Sequence, residues 1–212
     1  VLDIDEDVPA YRHASKFTKG KLTDSTKIKE LARQVDLITY EIEHLDADTL
    51  LEIEQQGVLV YPSATILKTI QDKGEQKLFY KKQLLPTVPF IIAHSSTNLD
   101  DLDILRSHKI VIKSCKDGYD GRGVQIIDKS EFIRNGMKLP FAGACVIEEF
   151  VVNAQEYSVI VARDSAGDIR VYPPVEMVFD AEANLVDYLF APARLTNEQE
   201  EYAKRISMEA VD

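Results

Sequence analysis

The sequence predicts a mixed fold, α/β in its first part and α+β in the rest. In the first part, short apolar runs alternate with helical patterns, which is typical of βαβ units around a parallel sheet. Beyond residue 150, apolar runs are separated mainly by turns, which is typical of antiparallel strands. Between these parts, Pro86 and Pro89 predict a hinge, because proline ends a helix and stiffens the chain. The predicted division is 1–85, a smaller unit over 86–150, and 151–212.

The composition is that of a globular protein that binds neither nucleic acid nor membranes. Of the 212 residues, 45% are hydrophobic and 29% are charged, which allows a sizeable core. The net charge of −11 disfavours binding to nucleic acid or to an anionic membrane. No apolar run approaches the roughly 20 residues that a membrane-spanning helix needs. Cys115 and Cys145 form no C-x-x-C pair, so the simplest interpretation is two reduced thiols in a cytoplasmic protein.

The first 85 residues are predicted to contain strands that alternate with capped helices. Asp24, Asp46 and Ser63 each precede a helical pattern and can accept a hydrogen bond from its first turn. Strands are predicted at 1–3, 36–41 and 58–61, and the second of them is expected to be a buried parallel strand. The polar segment 71–77 is interpreted as the solvated face of a helix. Both ends of the chain stop in mid-pattern, so both terminal domains are expected to be truncated.

Two carboxylates stand at the carboxyl end of the predicted strand 36–41. They belong to Glu41 and Glu43. Ligands of open α/β sheets bind at this edge, which makes both residues candidates for a ligand site. The alternative for Glu41 is an exposed carboxylate at a strand end, without a role in binding.

The remaining elements are predicted from apolar runs and turn signals. Strands are expected at 90–93, 110–112, 124–127, 145–151, 156–163, 169–172, 175–179 and 184–191. Helices are expected near 99–106, near Glu131 and after Thr196, which can cap the last helix.

A glycine-rich loop lies between two of these strands. The segment from Lys113 to Val124 reads K-S-C-K-D-G-Y-D-G-R-G-V and holds three of the nine glycines. Backbone N–H groups of such a loop can surround a phosphate, because glycine has no Cβ in the way. Lys113, Lys116 and Arg122 add positive charge and are expected to have few protein partners without a ligand. The loop is therefore interpreted as a phosphate-binding flap, and the alternative is an ordinary mobile surface loop.

Short motifs stand in order along the whole chain. They are V-L-D from Val1, I-T-Y-E-I-E from Ile38, Y-P-S from Tyr61, Q-D-K from Gln71, K-x4-G-Y-D-G-R-G from Lys113, I-E-E-F-V from Ile147, E-Y-S-V-I-V-A-R from Glu156, Y-P-P-V-E from Tyr172 and A-P-A-R from Ala191. In these motifs the chain resembles the ATP-grasp enzymes, and among them the N5-carboxyaminoimidazole ribonucleotide synthetase family. The resemblance implies an ATP-grasp fold with a truncated pre-ATP-grasp domain (1–85), a lid domain (86–150) and a truncated C-terminal domain (151–212).

The resemblance also implies a set of ATP-binding residues. Lys113 contacts the phosphates, and Lys73 makes a phosphate or nucleotide contact where the family usually has arginine. The flap residues fold over the β- and γ-phosphates; they are Gly118, Tyr119, Asp120, Gly121, Arg122 and Gly123. The adenine is assigned to Glu148, Glu149, Phe150 and Val151, and the ribose hydroxyls to Glu156. The alternative for Glu156 is a solvated strand end. Val124 belongs to the same set without a polar role.

Other roles concern the reaction partners. Tyr119, Asp120 and Arg122 are the catalytic candidates, where aminoimidazole ribonucleotide meets the γ-phosphate. Tyr40, Glu41 and Glu43 are assigned to the ribonucleotide substrate. Mg²⁺ is implied as a cofactor, with its ligands expected outside this chain and no metal ligand within it. A homodimer is implied as well, and neither nucleic acid nor a membrane is expected as a partner.

The implied activity is ATP- and bicarbonate-dependent carboxylation of 5-aminoimidazole ribonucleotide through carboxyphosphate. The alternatives are another ATP-grasp ligase or carboxylase, transformylase-like or biotin carboxylase-like, and a non-catalytic nucleotide-binding module. Met177 and Phe179 stand where the family often has asparagine and histidine, and Val124 stands where it often has glutamine. No polar role is therefore given to these three residues.

Overall fold

The computed structural model describes residues 1–95, 99–116, 118, 122–180 and 185–212. Contacts divide the chain into two compact units, Val1–Asp72 and Lys73–Asp212. The predicted boundary at residue 85 and the separation of a lid domain from a C-terminal domain stay predictions. Within the described ranges, no helix combines the length and apolar character needed to cross a bilayer.

The first unit is built from parallel strand pairs and helices. Its elements are β1 (Leu2–Asp3), a 3-10 helix (Pro9–His13), β2 (Thr18–Lys19), α1 (Ser25–Ala32), β3 (Leu37–Thr39), α2 (Ala47–Gln55), β4 (Leu59–Tyr61) and α3 (Ala64–Ile70). β1 pairs in parallel with β2, and β3 pairs in parallel with β4. The predicted parallel α/β character of this part is confirmed.

Helix starts in this unit follow from the capping residues. Asp24 accepts hydrogen bonds from the amides of Thr26 and Lys27 at the start of α1. Asp46 accepts from the Thr49 amide at 3.0 Å at the start of α2, and Ser63 caps α3 in the same way. Each side chain satisfies an amide that has no partner within its helix. All three predicted caps are confirmed.

The core of the first unit lies on one side of β3 and β4. Ile38 and Val60 are buried there with residues from α1, α2 and α3. Their neighbours Leu37 and Leu59 are 46% and 53% exposed. The prediction of a buried strand over 36–41 is therefore wrong except at Ile38, because alternate residues of a strand point to opposite faces and the core covers one of them.

The second unit opens with a helix and a four-stranded antiparallel sheet. Its elements are α4 (Lys73–Lys82), β5 (Phe90–Ala93), a 3-10 helix (Leu99–Ile104), β6 (Lys109–Ser114), β7 (Val124–Asp128), α5 (Lys129–Arg134) and β8 (Cys145–Glu149). The strand order is β5-β8-β6-β7, and every neighbouring pair is antiparallel. The glycine loop joins β6 to β7, so the predicted strand–loop–strand is confirmed.

The two faces of this sheet have different roles. Ile110, Ile112 and Ile147 lie on one face, in a buried cluster with Phe132 and Cys145. The residues that alternate with them along β6 and β8, which include Lys113, Val146 and Glu148, lie on the other face. Helix α4 packs on β8 on that side. The alternation of the strands therefore brings polar side chains from the sheet against the helix.

The rest of the second unit is antiparallel and ends in a helix. Its elements are β9 (Glu156–Ser158), β10 (Val161–Arg163), β11 (Ile169–Val171), β12 (Val175–Asp180), β13 (Leu185–Phe190) and α6 (Asn197–Val211). The strand order β13-β12-β9 forms one sheet, and β10 pairs with β11. Thr196 and Gln199 form a reciprocal capping box at the start of α6, which confirms the predicted cap.

Three predicted boundaries in this unit are wrong. The strand expected over 156–163 is divided, because β9 pairs with β12 while β10 pairs with β11. The helix expected over 99–106 is a 3-10 helix that ends at Ile104. β8 ends at Glu149 instead of Val151, although the Phe150 amide still donates to the carbonyl of Lys109 at the start of the neighbouring strand β6.

Candidate functional site

One face of α4 lines a small pocket in the second unit. Lys73, Gln76, Lys77 and Tyr80 contribute this face, and Lys113 and Val146 complete the lining from the sheet. The four helix positions are spaced i, i+3, i+4 and i+7, which places them on one side of the helix. The pocket has a volume of about 140 Å³. Three ammonium groups therefore converge on one concave surface.

A buried carboxylate lies against this pocket. Glu148 on β8 is 4% exposed. Its Oε1 contacts Nζ of Lys113, and its Oε2 lies 2.6 Å from Nζ of Lys77. The short contact of Oε2 with Lys77 is an ion pair between a buried carboxylate and an ammonium group. Lys77 and Lys113 together neutralise a charge that would be very unfavourable alone in this position.

The environment of Glu148 determines its protonation state. Burial by itself would raise the pKa of its carboxyl, since it disfavours the charged form. Hydrogen bonding and charge from Lys113 and Lys77 outweigh burial and lower the pKa below the ordinary value of 4.5. Glu148 is therefore ionised at neutral pH, and the cluster of Glu148, Lys77 and Lys113 has a net charge of +1.

Acid should weaken the fold through Glu148. A carboxyl whose pKa is lowered by folding contributes stability above its unfolded-state pKa and loses it as the pH falls through the folded-state value. We expect the free energy of unfolding of wild type to fall more steeply than that of Glu148→Gln as the pH drops below the ordinary carboxyl value of 4.5. Urea titrations at several pH values measure this difference. Glu131→Gln, at an exposed position on α5, is the control, and parallel pH profiles for wild type and Glu148→Gln would contradict the assignment.

Lys77 is the most firmly held of the three lysines. Its Nζ also donates to Oγ1 of Thr87 at 2.7 Å, and it lies 5.5 Å from the ring centroid of Phe90. Its side chain is 16% exposed, against 34% for Lys113. Lys113 is therefore the more accessible partner of Glu148.

Lys73 joins the helix to the flap. Its Nζ donates to the carbonyl oxygen of Gly118 at 2.8 Å, and its amide donates to the Cys115 carbonyl at 2.9 Å. The first residue of α4 and the first part of the flap are thus bonded through backbone and side chain. A ligand that takes the Lys73 ammonium group would have to release the Gly118 carbonyl.

Two flap glycines are required by the close approach of the flap ends. A Cβ on Gly118 would lie 2.9 Å from the carbonyl oxygen of Arg122, which is too short for two unbonded atoms. Gly123 has a φ of +74°, in the region that favours glycine, and its carbonyl accepts from the Ser114 amide at 2.8 Å. The glycine spacing thus has a structural cause in addition to any contact with phosphate.

The other flap residues divide into described and undescribed positions. Arg122 is exposed but has an interaction partner, and so has Lys116. Lys113 pairs with Glu148. The expectation that these three cations have few protein partners is therefore wrong for Lys113, and none of the three is unpartnered.

Tyr119, Asp120 and Gly121 lie outside the described residues. Val124 is 38% exposed and pairs with Lys113 across the strands.

The residues assigned to adenine and ribose lie at and beyond the end of β8. Glu149 accepts a hydrogen bond from the Arg106 amide, and its own amide donates to the Pro89 carbonyl. Phe150 is half-buried and Val151 is 50% exposed. Glu156 begins β9, is exposed, and pairs with Met177. The carboxylates of Glu148 and Glu149 thus have protein partners, whereas that of Glu156 is accessible.

The residues assigned to the ribonucleotide substrate belong to the first unit. The Tyr40 hydroxyl lies 3.4 Å from the Ser63 carbonyl, and burial, then the charges of Glu54 and Glu43, raises the pKa of Tyr40. Glu41 and Glu43 are exposed. Their assignment to a shared site with the flap stays a prediction.

Sequence reasoning missed Lys77. The sequence indicates a solvated helix face over 71–77, from which the family resemblance assigns Lys73 alone to the nucleotide, but Gln76 and Lys77 line the pocket as well. The spacing of Lys73 and Lys77, one helical turn apart, was the available signal. It is ambiguous without the sheet, because most lysine pairs at this spacing are solvated.

Family models match nearly the whole chain. Residues 1–71 match the model described as "Ribonucleotide synthetase preATP-grasp domain". Residues 78–212, more than half of the chain, match the model described as "ATP-grasp domain". The pocket and the flap belong to the part that the second model covers, apart from Lys73, Gln76 and Lys77 at the start of α4.

Named relatives agree with these matches. The chain is 32% identical over its whole length to phosphoribosylaminoimidazole carboxylase from Vigna aconitifolia, of which it covers 37%. It is 31% identical to the structure of N5-carboxyaminoimidazole ribonucleotide synthetase from Thermotoga maritima, with a TM-score of 0.82 over 99% of this chain and 53% of that one. It is 26% identical to the ADP complex of N5-carboxyaminoimidazole synthetase from Staphylococcus aureus, with a TM-score of 0.86 over 99% of this chain and 55% of that one.

These comparisons establish the family and the extent of the similarity. The chain spans between about a third and a little over half of the length of these relatives. The ATP-grasp model accounts for the sheet, the flap and the lysines on β6, and the neighbouring model accounts for the parallel first unit. The chain belongs to the ATP-grasp family.

Proposed function

We propose that the protein containing this chain carboxylates 5-aminoimidazole ribonucleotide with ATP and bicarbonate, in de novo purine biosynthesis. The product is N5-carboxyaminoimidazole ribonucleotide, and ADP and phosphate are released. The observation that carries the proposal is the pocket between α4 and the sheet, where the ammonium groups of Lys73 and Lys113 lie beside the glycine flap. The names of the relatives support the choice of substrate.

The charge of the pocket suits a polyphosphate. Lys73, Lys77 and Lys113 line it, and Glu148 pairs with two of them. A concave site with more ammonium than carboxylate groups attracts anions, and charge-assisted contacts to phosphate are strong. The ATP-grasp family membership and the ADP complex of the Staphylococcus aureus relative support ATP as that anion.

The proposed chemistry has two bond exchanges. A bicarbonate oxygen attacks the γ-phosphorus of ATP, the bond to the β-phosphate oxygen breaks, and ADP leaves carboxyphosphate behind. The exocyclic amine of the ribonucleotide then attacks the carbonyl carbon of carboxyphosphate, the C–N bond forms, and phosphate leaves with the amine proton. Lys113 and Lys73 offset the negative charge around the transferred phosphoryl group. A closed flap keeps water from carboxyphosphate.

The nucleoside part of ATP is assigned to the end of β8 and the start of β9. The amides of Glu149 and Phe150 already donate to protein carbonyls, so the Val151 amide is the candidate donor to adenine. Glu156 takes the ribose hydroxyls, because its carboxylate is accessible while those of Glu148 and Glu149 are engaged.

The substrate and metal assignments rest on the family resemblance. Tyr119, Asp120 and Arg122 are proposed to act where the amine meets the phosphoryl group, and Tyr40, Glu41 and Glu43 to bind the ribonucleotide. Mg²⁺ is proposed to supply charge neutralisation at the phosphates. Among the described residues, no group of three or more His, Cys, Asp and Glu side chains could hold a metal ion, so no metal ligand is assigned to them.

A phosphate-release assay on the full-length protein tests the proposal. We expect ATP-dependent phosphate release with bicarbonate, and a new carboxylated product when 5-aminoimidazole ribonucleotide is added. ATP binding without turnover would favour a non-catalytic nucleotide-binding module. Turnover that requires a different amine or acid acceptor would favour another ATP-grasp ligase or carboxylase.

Glu156→Gln should weaken ATP binding more than it lowers the maximal rate. A neutral amide accepts hydrogen bonds from ribose hydroxyls less strongly than a carboxylate, and hydrogen bonds to charged groups are worth roughly 1.5–3 kcal/mol. Calorimetry for the affinity and steady-state kinetics for kcat check this. Asp187→Asn, at an exposed position on β13, is the matched control. Unchanged affinity in Glu156→Gln would favour a solvated strand end.

Compartment and assembly are further parts of the proposal. Cys115 and Cys145 are buried free thiols, which supports a reducing, cytoplasmic environment. Assembly as a homodimer is proposed from the family resemblance, and analytical ultracentrifugation of the full-length protein tests it.

A further inference from the structure

Glu148 has two ammonium partners that differ in how they are held. Lys77 has the Thr87 hydroxyl as a second polar partner and the Phe90 ring as an apolar one. Its side chain is about half as exposed as that of Lys113. Lys77 is thus integrated into the packing of the unit, while Lys113 has the greater access to solvent and ligands.

The proposed function requires Lys113 to have two alternative partners. Its ammonium group contacts Oε1 of Glu148 in this structure, and the same group is assigned to the ATP phosphates. If Lys113 moves to a phosphate, Oε1 loses that contact. Only 5% of the Glu148 side chain is exposed, so solvent cannot replace the lost partner. A buried carboxylate without a counter-ion would oppose nucleotide binding.

We propose that Lys77 is a positioning residue that keeps Glu148 neutralised while Lys113 moves to the nucleotide phosphate. The proposal rests on the proposed function, because it takes ATP as the ligand of Lys113. Lys77 itself does not contact the nucleotide. Its ion pair with Oε2 at 2.6 Å remains in both states, so that binding exchanges one anionic partner of Lys113 for another. The phosphate contacts Lys113 only after Lys113 has left Glu148, and this contact favours the nucleotide-bound arrangement over the free one.

Removal of Lys77 should make Lys113 indispensable to Glu148. In Lys77→Met, the methionine fills similar space, but Lys113 is the remaining counter-ion of Glu148. Movement of Lys113 to a phosphate would then leave the buried carboxylate without a counter-ion. We expect binding of a non-hydrolysable ATP analogue to the full-length protein to weaken roughly tenfold or more. Lys77→Arg keeps the charge and should retain most of the affinity. Lys81→Met is the matched control, because Lys81 is an exposed lysine on the same helix outside the pocket lining.

The double variant Lys77→Met/Glu148→Gln separates positioning from direct contact. Once Glu148 is a neutral amide, no buried charge needs Lys77. We therefore expect the double variant to bind the analogue within about twofold of Glu148→Gln alone, and more tightly than Lys77→Met. This comparison stays decisive even where Lys77→Met alone fails to fold, since the double variant removes both buried charges together.

Isothermal titration calorimetry on these variants gives results that support or overturn the proposal. Wild-type affinity in a folded Lys77→Met would overturn it. A double variant that binds tenfold more weakly than Glu148→Gln would also overturn it, because Lys77 would then contact the nucleotide directly. Failure of wild type to bind the analogue would instead contradict the proposed function, and the inference with it. Binding by wild type together with either of the first two results would contradict the inference alone.

Discussion

Replacement of Lys113 by alanine is expected to lower the rate of ATP turnover roughly ten- to one-hundred-fold, since a charge-assisted contact to phosphate is worth about 1.5–3 kcal/mol. Lys113 lines the pocket, lies on the strand that leads into the flap, and is the more accessible of the two lysines on Glu148. The measurement is kcat/KM for bicarbonate-dependent phosphate release by the full-length protein.

The effect of Lys113→Ala on stability should be much smaller than its effect on turnover. Glu148 keeps its ion pair with Lys77, so its charge is not left alone in the core. Lys109→Ala provides the matched control, because Lys109 is an exposed lysine at the other end of β6. Wild-type turnover in Lys113→Ala, or an equal loss in Lys109→Ala, would show that Lys113 has no special role.

Phe132→Ala should destabilise the second unit by about 3–5 kcal/mol, the usual cost of deleting a fully buried aromatic side chain. Phe132 on α5 is 2% exposed and packs with Ile110, Ile112 and Ile147 on the face of the sheet opposite the pocket. The alanine would leave a cavity under the strands that carry Lys113 and Glu148, and these strands cannot collapse far without losing their hydrogen bonds. Urea unfolding followed by fluorescence or circular dichroism measures the loss.

Its neighbour Ile133 offers a control on the same helix. Ile133 is 39% exposed, so Ile133→Ala removes an apolar side chain that is far less buried than that of Phe132. We expect a loss of less than about 1 kcal/mol there. Similar losses for the two variants would mean that the buried cluster around Phe132 does not hold this sheet together.

Local chemistry explains why much of the fold could be predicted. The caps at Asp24, Asp46, Ser63 and Thr196 depend on a side chain and amides within three residues of it. The strands on either side of the flap were predictable because an apolar run precedes the loop and another follows it. The loop between them is too rich in glycine and charge to continue a strand. Such signals act over a few residues, and the sequence contains them in full.

Boundaries that depend on partners could not be predicted in the same way. The segment 156–163 contains neither glycine nor proline to mark a break, yet it forms two strands because its two parts pair with β12 and β11. Burial shows the same limit, since Leu37 belongs to an apolar run and is 46% exposed. The division of a strand and the burial of its residues both depend on which other elements pack against it, and the same sequence pattern is compatible with either result.

The sequence by itself determined the alternation of elements, the capped helix starts, the glycine flap between two strands, and the motifs that point to the ATP-grasp family. Only the tertiary structure decided that Lys77 and Lys113 share the buried Glu148, and that Lys73 holds the carbonyl of Gly118. The physical reason is that an ion pair depends on distance and burial, whereas a motif records only order along the chain. Strand register brings Lys113 beside β8, and the packing of α4 brings Lys77 to the same carboxylate. These residues lie far apart in the sequence, and no local pattern at one of them predicts contact with another.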